Sequence, residues 1–522
     1  PSTNTQRLTA VAEVGGELKL VANAFSAYQV ARNQFINSLT GFLNRKDPNN
    51  VTLEALMKND VMAVLCCPLA QDPVAGIQSS SLNCLGKLAN ADPLLSQVVV
   101  SCGVLDSVVV SLSHESTTVQ ASANDVLASV ASSSNDFAHR ILTAGVMPHV
   151  LRQLQSGPAP VKEAAIRTLN ALIQSSPEHA AAICDDNLLQ LLVALLSVPG
   201  SPHTLLRSLV LSLSHVAAGG PKLAEALLRH KVLEPFTAMV RGANTPPDIK
   251  AAALNALAQI CSHHEELANS VANQGVLGTA VQLLTDKMNQ GIRHNAAALL
   301  LQAVQKTPDL AEVVTKAGAP GCLTKYMGLE AGSSVGLVAG AMIVGSMCTY
   351  KAAVAKAVVD AGTGAPVIEA LKHGDDQVAG VAAWAVEQMA QHMEATGGPL
   401  IEAGALTQLV ELYKRADPAR QPELFRKAKA AVKAVLRSAA TAPSLEAFVD
   451  ASLPPPLLKH LLRRLEVLLA RSPKGRQSFV TSGALQRLQQ LAPPGELEPR
   501  AEEVRAAINS LFPEDVVKYY SA

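Results

Sequence analysis

The part of the chain that most resembles a metal site is His263-His264-Glu265-Glu266. Imidazole and carboxylate groups are ligands that Zn²⁺ prefers. Neighbouring residues on a helix, however, point about 100° apart, so they cannot share one ion well, whereas residues one turn apart can. The segment also falls where the repeat described below places a loop. We therefore interpret it as a solvated loop and predict no metal and no cofactor.

A second candidate for chemistry is the glycine-rich segment at residues 360–366, which superficially resembles a phosphate-binding loop. It lacks the Gly-Lys-Ser/Thr ending and a preceding strand, both of which that loop requires. The chain also contains no Gly-x-Ser-x-Gly, and its sequence context places no Ser, His and Asp near one another. The sequence therefore predicts a protein that is not an enzyme.

The eight cysteines show no metal-ligand spacing. Cys66 and Cys67 are adjacent, and adjacent cysteines seldom bridge because a disulfide needs a particular Cα separation. We interpret all eight as free thiols buried as small hydrophobic groups, which predicts a reducing, cytoplasmic compartment. The N-terminal residues show no signal-peptide pattern. The longest weakly polar stretch, residues 335–348, is too short to span a bilayer, so we predict a buried helix there and no membrane partner.

Positive charge is concentrated in one region although the whole chain is balanced. The chain carries 43 Lys and Arg against 43 Asp and Glu, which argues against a dedicated nucleic-acid binder. Residues 414–476, in contrast, hold 14 basic and five acidic residues. The cations on the helices predicted there form a candidate partner-binding surface, the basic patch, which comprises Arg426, Lys427, Lys429, Lys433, Lys459, Arg463 and Arg464.

Two interpretations of the basic patch stay open at this stage. A solvated helix face is the ordinary explanation of such a cluster. The more specific interpretation is that the patch binds an acidic surface on a partner protein, because clustered cations steer and orient association. Aromatic side chains interleaved with the cations, as expected for binding single-stranded nucleic acid, are missing. We therefore predict no nucleic-acid partner.

The elements that position these residues recur along the chain. A polar start, an apolar helix, a small turn residue and a second apolar helix form one phrase, and its turn position returns every 42–44 residues. A period of this length is typical of armadillo and HEAT repeats. The predicted turn positions are Asp60, Gly103, Gly145, Asn187, Lys231, Gly275, Gly318, Gly362 and Gly404, with a later one at Gly483.

Each repeat is predicted to contain three helices. In one of them the helices fall at residues 178–186, 188–197 and 203–218, and the third has apolar residues at the three-four spacing of one helical face. No repeat can bury its apolar face alone, so stacked neighbours supply the core. The predicted fold class is all-α: a right-handed superhelical solenoid of the armadillo/HEAT type, with about ten three-helix repeats and an N-terminal capping helix.

The chain divides into four predicted segments. Residues 1–16 are predicted to form a flexible tail, residues 17–45 a capping helix, residues 46–442 the repeat array, and residues 443–522 the basic C-terminal repeats and cap.

The third helices line the inner surface of an armadillo solenoid. Armadillo proteins that grip extended peptides carry an Asn on successive third helices, and its amide pairs with the ligand backbone. At that offset this chain has Ala171, Ala303 and six polar candidate groove positions, which are Lys87, Ser129, His215, Gln259, Ser346 and Gln388. The Asn ladder is absent. Capture of basic peptides is therefore disfavoured, and ordinary half-exposed groove positions are the alternative for each residue.

Two terminal segments carry a resemblance to a known family. Near the start, Tyr28-Gln29, Ala31-Arg32 and Gln34-Phe35 follow a Tyr-Gln-x-Ala-Arg-x-Gln-Phe pattern. Near the end stand FVTSG at residues 479–483 and FPEDVVKYYS at residues 512–521, and AAWAVEQM lies at residues 382–389. Together these resemble the ciliary central-apparatus armadillo family of the sperm-associated antigen six type, and the weaker match in the central repeats suggests a divergent paralogue.

The resemblance implies a function and a set of partners. It implies a non-enzymatic structural scaffold of the ciliary or flagellar axoneme, in the central apparatus, that organises neighbouring proteins and supports beating. The implied partners are other armadillo proteins of the central apparatus and tubulin or the microtubule surface, and homo- or hetero-oligomers stay open. The alternative function is a soluble armadillo adaptor or transport receptor that binds peptide segments in its inner groove.

Overall fold

In a computed structural model of the chain, the described regular secondary structure is helical. The structure describes residues 2–43, 65, 70–392, 396–450, 453–491 and 498–521, and no strand occurs among them. The chain divides into two compact units, Pro1–Pro235 and Phe236–Ala522. This division coincides with none of the predicted segment boundaries, and the boundary predicted at residues 442–443 stays a prediction.

The helices of the first unit are numbered in chain order. They are α1 (Ser2–Leu43), α2 (Ala75–Ala91), α3 (Pro93–Ser101), α4 (Leu105–Ser111), α5 (Thr117–Ser133), α6 (Asn135–Thr143), α7 (Met147–Ser156), α8 (Ala159–Ser175), α9 (Pro177–Ile183), α10 (Asp186–Leu196), α11 (His203–Ala218) and α12 (Pro221–Arg229). The division between the units falls within α13 (Leu233–Arg241). Within this unit, the long third helices α2, α5, α8 and α11 pack side by side in sequence order.

The second unit continues the same three-helix pattern. Its helices are α14 (Pro247–Cys261), α15 (Glu265–Asn273), α16 (Val276–Leu283), α17 (Gln290–Lys306), α18 (Pro308–Lys316), α19 (Ala319–Leu329), α20 (Ser334–Tyr350), α21 (Ala352–Asp360), α22 (Gly364–Ala370), α23 (Asp376–Ala390), α24 (Gly397–Glu402), α25 (Ala405–Arg415), α26 (Pro422–Ser438), α27 (Pro443–Glu446), α28 (Pro455–Arg471), α29 (Pro473–Thr481), α30 (Ala484–Gln490), α31 (Pro499–Asn509) and α32 (Glu514–Ser521). The predicted all-α armadillo fold of three-helix repeats is confirmed.

The repeat built from α15, α16 and α17 illustrates why this sequence folds in this way. Gly275 has φ of 67°, a left-handed conformation that ends α15 and starts α16 without steric strain on a Cβ. Helix α17 then buries Ile292, Ala296, Leu299 and Leu300 along one face. That face packs between α14 and α20, the third helices on either side. Stacking therefore supplies the core that one repeat lacks.

Small residues allow the third helices to approach closely. The backbone of α20 at Gly345 lies directly against the indole ring of Trp384 on α23, and a Cβ at that position would overlap the ring. The rest of α20 is largely buried, with Leu337, Ile343 and Met347 in the core. The apolar stretch at residues 335–348 is thus a packed helix, as predicted.

The turn predictions were mostly correct. All seven predicted turn glycines have positive φ, namely Gly103, Gly145, Gly275, Gly318, Gly362, Gly404 and Gly483. Asn187 is an exception, because it lies inside α10, which Asp185 caps by accepting a hydrogen bond from the Leu188 N–H at 2.8 Å. A left-handed turn at Asn187 was therefore a wrong prediction, since the Asp185 side chain closes this helix start instead. The predicted turn at Asp60 lies outside the described residues.

Two predicted boundaries differ from the structure. A flexible tail over residues 1–16 and a helix beginning at residue 17 were predicted. The structure instead has one continuous helix, α1, from Ser2 to Leu43. Glu265 and Glu266 form the first turn of α15 rather than a loop, where acidic groups interact favourably with the helix dipole. His263 and His264 precede that helix, as predicted.

A buried ion cluster in the second unit was not predicted from the sequence. The side chain of Glu330 is only 1% exposed, and Arg293 donates to it through Nε at 2.7 Å. His294 Nε2 lies 2.9 Å from the second carboxylate oxygen, and Gln290 donates to that oxygen at 3.2 Å. Burial alone opposes ionisation, but these three hydrogen bonds lower the pKa of Glu330 below its ordinary value of 4.5.

We predict that Glu330→Gln lowers the free energy of unfolding by about 3–5 kcal/mol, because Arg293 is left as an unpaired buried cation. Urea unfolding at pH 7 measures this loss, and Glu369→Gln, which removes an exposed ion pair with Lys372, should change little. Because the folded-state pKa of Glu330 is below 4.5, its contribution is complete above pH 4.5 and is lost as the pH falls through the folded-state pKa. Equal stability of the wild type and Glu330→Gln at pH 7 would contradict the prediction.

Lys231 provides a second stability test, because it is the one non-glycine residue with positive φ (59°) in the part of the chain that the structure describes. We predict that Lys231→Gly stabilises the first unit by about 1 kcal/mol, since the left-handed conformation strains a residue with a Cβ by roughly that amount. Lys231→Ala is the matched control, because it removes the same charge but keeps the Cβ. The two variants should separate in thermal unfolding, and coincident midpoints would argue against backbone strain.

Candidate functional site

The basic patch lies on helices α26 and α28 of the second unit. Some of its cations already have partners there. Arg426 pairs with Glu423 at 2.8 Å, and Lys459 pairs with Glu498 at 2.8 Å. Arg464 is occupied differently, because its Nε donates to the carbonyl oxygen of Ala439 at 3.0 Å. Arg426 and Lys459 therefore contribute less free positive charge than the sequence suggested, whereas Arg464 keeps its charge but is held in place.

Two of the remaining cations, Lys433 and Arg463, line a cleft between α26 and α28. We call it the basic cleft; its volume is ≈ 370 Å³, and its lining residues are Lys433, Leu436, Arg437, His460, Arg463, Arg464 and Val467. The structure thus brings together Lys433, Arg463 and Arg464 of the predicted patch. It adds Arg437 and His460, which the sequence analysis did not select.

Arg437, one of the two residues that the sequence analysis missed, could have been found from its spacing in the sequence. Arg437 lies four residues after Lys433, which itself lies four residues after Lys429, so all three share one helical face. His460 gives no comparable signal, because a single histidine beside Lys459 is compatible with any exposed helix face. Only the packing of α26 against α28 places its ring in the cleft.

Burial and repulsion between like charges, in that order, shape the electrostatics of the basic cleft. Burial and then the nearby charges of Lys433, Lys459 and Arg437 lower the pKa of His460 to about 4. Burial likewise lowers the pKa of Lys433, with Lys429 and Arg437 adding to the effect. His460 is therefore neutral at pH 7, and the cleft favours any group that brings negative charge.

The candidate groove positions of the first unit fall into two settings. Lys87 and Ser129 line a second cleft of ≈ 470 Å³, together with Asn37, Asn83 and Asn90 among others. His215 lies further along the unit, within 2.8 Å of the Gln174 side-chain nitrogen, and burial lowers its pKa. Ala171 is buried and offers no polar group.

The candidate groove positions of the second unit are more enclosed. Ser346 is buried with only 6% of its surface exposed, and Ala303 is fully buried. Gln259 is half-buried. Gln388 bonds within the unit, since its Oε1 accepts hydrogen bonds from Gln391 at 2.9 Å and Thr349 at 3.4 Å. A partner-binding role for these groove positions stays a prediction.

The N-terminal motif anchors helix α1 to the rest of the first unit. Arg32 pairs with Asp72, and the two side chains are 7% and 3% exposed. Gln29 accepts a second hydrogen bond from Arg32, and the guanidinium carbon lies 4.6 Å from the ring centroid of Tyr28. The Tyr-Gln-x-Ala-Arg pattern therefore forms the contact by which α1 docks.

The same helix presents apolar side chains to solvent before this anchor. Leu18, Val21, Phe25 and Tyr28 are each more than half exposed, and they follow the three-four spacing of one helix face. Apolar surface of this kind on a helix commonly marks a protein interaction site. Helix α1 thus offers a second surface, distinct in chemistry from the basic patch.

We predict that Arg32→Ala releases α1 from the first unit, at a cost of about 3–5 kcal/mol, because Asp72 becomes an unpaired buried carboxylate. Hydrogen exchange of the amides in residues 30–43 should accelerate relative to the wild type. Lys19→Ala, on an exposed position of the same helix, is the control and should leave the exchange unchanged. Identical exchange in both variants would show that the ion pair does not hold the helix.

The cysteines that the structure describes are free thiols. Burial raises the pKa of Cys184, Cys261 and Cys348 to about 12, which keeps them protonated and unreactive at neutral pH. The predicted burial holds for Cys84, Cys184, Cys261 and Cys348, whereas Cys102 and Cys322 are only half-buried, so burial of every cysteine was a wrong prediction. Cys66 and Cys67 lie outside the described residues.

Two other kinds of site were searched for in the described ranges. Those ranges contain no group of three or more His, Cys, Asp or Glu side chains arranged to hold a metal ion. They also contain no single helix with the length and apolar character to cross a bilayer. Two sharply bent helix pairs, α3 with α4 and α9 with α10, meet the criterion by length and composition only.

Comparison with known proteins identifies relatives for part of the chain. Sperm-associated antigen 6 of mouse is 35% identical over 149 residues, and its human counterpart is 34% identical over the same length. The predicted resemblance is confirmed. The match spans 28% of this chain and 28% of the length of those relatives, so the similarity to sperm-associated antigen 6 concerns that part of each chain. No protein-family model matches the chain.

Solved structures support the fold independently. An engineered protein from a structural genomics consortium aligns with a TM-score of 0.64, covering 87% of this chain and 98% of its own. At 20% sequence identity this likeness concerns the fold alone. The combination of three-helix repeats and a partial match to sperm-associated antigen 6 directs the functional proposal.

Proposed function

We propose that this chain is a non-enzymatic structural scaffold of the motile cilium or flagellum axoneme, located in the central apparatus and associated with the central pair of microtubules. It organises neighbouring proteins there and supports ciliary beating. The observation that carries the proposal is the 35% identity to sperm-associated antigen 6 over 149 residues. The armadillo fold agrees with it, because stacked repeats present extended surfaces for protein partners.

Two surfaces give the scaffold physical means to hold its neighbours. The basic patch on α26 and α28 suits an acidic protein surface, such as that of tubulin or of a neighbouring scaffold protein. The exposed apolar side chains of α1, including Phe25 at 61% exposure, suit a helical partner, for example another armadillo protein or a second copy of this chain. No catalytic role is proposed for either surface.

The proposal is tested by charge reversal in the basic patch. We expect a chain carrying Arg426→Glu, Lys427→Glu and Arg463→Glu to be incorporated poorly into axonemes and to be extracted at lower salt than the wild type. Attraction between exposed charges depends on their sign and is screened by salt. Arg464 is left intact because it bonds to a backbone carbonyl. Tagged chains expressed in ciliated cells are followed by fractionation of isolated axonemes.

The matched control reverses three exposed lysines of the same unit, Lys287, Lys325 and Lys356, which lie outside the basic patch. It changes the net charge by the same amount and should be retained like the wild type. Equal retention of all three proteins would remove the basic patch from the proposal. Absence of the wild-type chain from the central apparatus would refute the proposed location itself.

One observation supports the alternative function, which is a soluble adaptor or transport receptor for peptides. The cleft of the first unit is lined by the exposed amides of Asn37, Asn83 and Asn90, which are able to pair with a peptide backbone. Asn83 and Asn90 both lie on α2, however, and not on successive third helices. A pull-down dominated by short disordered peptides instead of axonemal proteins would favour this alternative.

A further inference from the structure

Cations form a regular row on α26, and two of them, Lys433 and Arg437, line the basic cleft. Lys429, Lys433 and Arg437 follow one another at four-residue intervals on α26. One helical residue rises about 1.5 Å, so these side chains lie on one face about 6 Å apart. Their mutual proximity is also reflected in the pKa of Lys433, which the charges of both neighbours lower in addition to burial.

The opposite wall is formed by α28, which contributes His460, Arg463 and Arg464. Arg464 is directed to the Ala439 carbonyl, whereas Arg463 is exposed. Among the residues that the structure describes, no carboxylate lies within ion-pair distance of Lys433, Arg437 or Arg463. These three cations are therefore available to an external anion.

One acidic group lies near His460 without lining the cleft, and it is already paired. Glu498 accepts two hydrogen bonds from Lys459, at 2.8 and 3.2 Å, and those bonds lower the pKa of Glu498. Lys459 is consequently neutralised, while the rest of the cleft keeps its positive charge. A ligand that binds here must supply its own negative groups.

The cleft is not lined by cations alone. Half-buried Val467 gives it apolar surface beside the charged walls, whereas Leu436 lines it from a buried position with 2% of its surface exposed. A compact, strongly hydrated anion such as phosphate makes no use of such surface. A glutamate side chain does, because its two methylene groups can cover apolar atoms while its carboxylate reaches the cations.

We propose that the basic cleft binds an extended, carboxylate-rich segment of a partner protein, with acidic side chains at alternate positions. Alternate side chains of an extended chain point the same way and lie about 6.6 Å apart, close to the spacing of Lys433 and Arg437 in the cleft, and Lys429 continues the same row beyond it. The inference rests on the proposed scaffold function, because it specifies which kind of partner segment the basic patch holds.

The residues of the cleft have separate roles in this binding. Arg437 and Arg463 each offer a planar fork of donors that matches a carboxylate, and Lys433 adds a point charge between the two walls. His460 is neutral in the free protein. A bound carboxylate offsets the surrounding positive charge, so the imidazole then gains a proton more easily and its pKa rises.

The first test measures peptide binding by the purified full chain. The probe is a fluorescent peptide, Glu-Ser-Glu-Ser-Glu-Ser-Glu, and its counterpart has Gln in place of every Glu. We expect binding of the acidic peptide that weakens as salt is raised, and no binding of the neutral one. Arg437→Gln with Arg463→Gln should weaken it by at least about tenfold, as expected from the loss of two charge-assisted contacts.

The control for that variant is Arg140→Gln with Arg420→Gln, which removes two exposed arginines outside the cleft. It should bind like the wild type. If both double variants lose affinity equally, the binding follows net charge and the proposal is wrong. The circular dichroism of each variant shows whether its helices remain, and the wild-type titration keeps the proposal testable even if one variant fails to fold.

The second test uses His460 as a reporter inside the cleft. Its ring resonance, assigned by comparison with His460→Gln, is followed as a function of pH with and without the acidic peptide. We expect the midpoint to move upward from about 4 when the peptide is present. If inorganic phosphate produces this movement and the peptide does not, the cleft is a phosphate site and the proposal is overturned.

The two proposals fail separately. Binding of the acidic peptide in solution does not depend on where the chain resides in a cell. If the peptide does not bind but the chain is found in the central apparatus, only the inference about the cleft is lost. If the peptide binds but the chain is absent from axonemes, the acidic ligand stands and the axonemal function is refuted.

Discussion

The structure depends on one constraint: an armadillo repeat cannot bury the apolar face of its third helix by itself. Helix α17 has Ile292, Ala296 and Leu300 on that face, and they leave water only because α14 and α20 lie against it. Close packing of these helices requires small residues, as Gly345 against Trp384 illustrates. The abundance of alanine and the scarcity of aromatic residues follow from the same requirement, since bulky side chains would force the helices apart.

This constraint explains why the sequence predicts the fold well and the site poorly. A fixed period places the glycine turns, and seven of them adopt the left-handed backbone that their position demands. The exceptions depend on side-chain contacts that a period does not contain. Asp185 caps α10 and so removes the turn expected at Asn187. Glu330 and Arg293 lie 37 residues apart and meet only because the helices stack.

The contacts of the candidate site were likewise not predictable from the sequence alone. The run of cations on α26 was recognisable from their four-residue spacing, but their partners were not. Glu498 neutralises Lys459, and a backbone carbonyl occupies Arg464. Arg437 and His460 became visible as part of the site only when α26 and α28 were placed side by side. Spacing within one helix can be predicted from sequence, whereas neighbours across two helices require the fold.

The basic cleft is costly to the folded chain when it is empty. Burial, and after it the like charges nearby, lower the pKa of both Lys433 and His460, which means that the fold resists protonation there and gains nothing from the cluster. Core packing does not require these charges, because Leu436 and Val435 already bury the apolar side of α26. An anionic partner would convert the repulsion into attraction, so the cluster is better explained by binding than by stability.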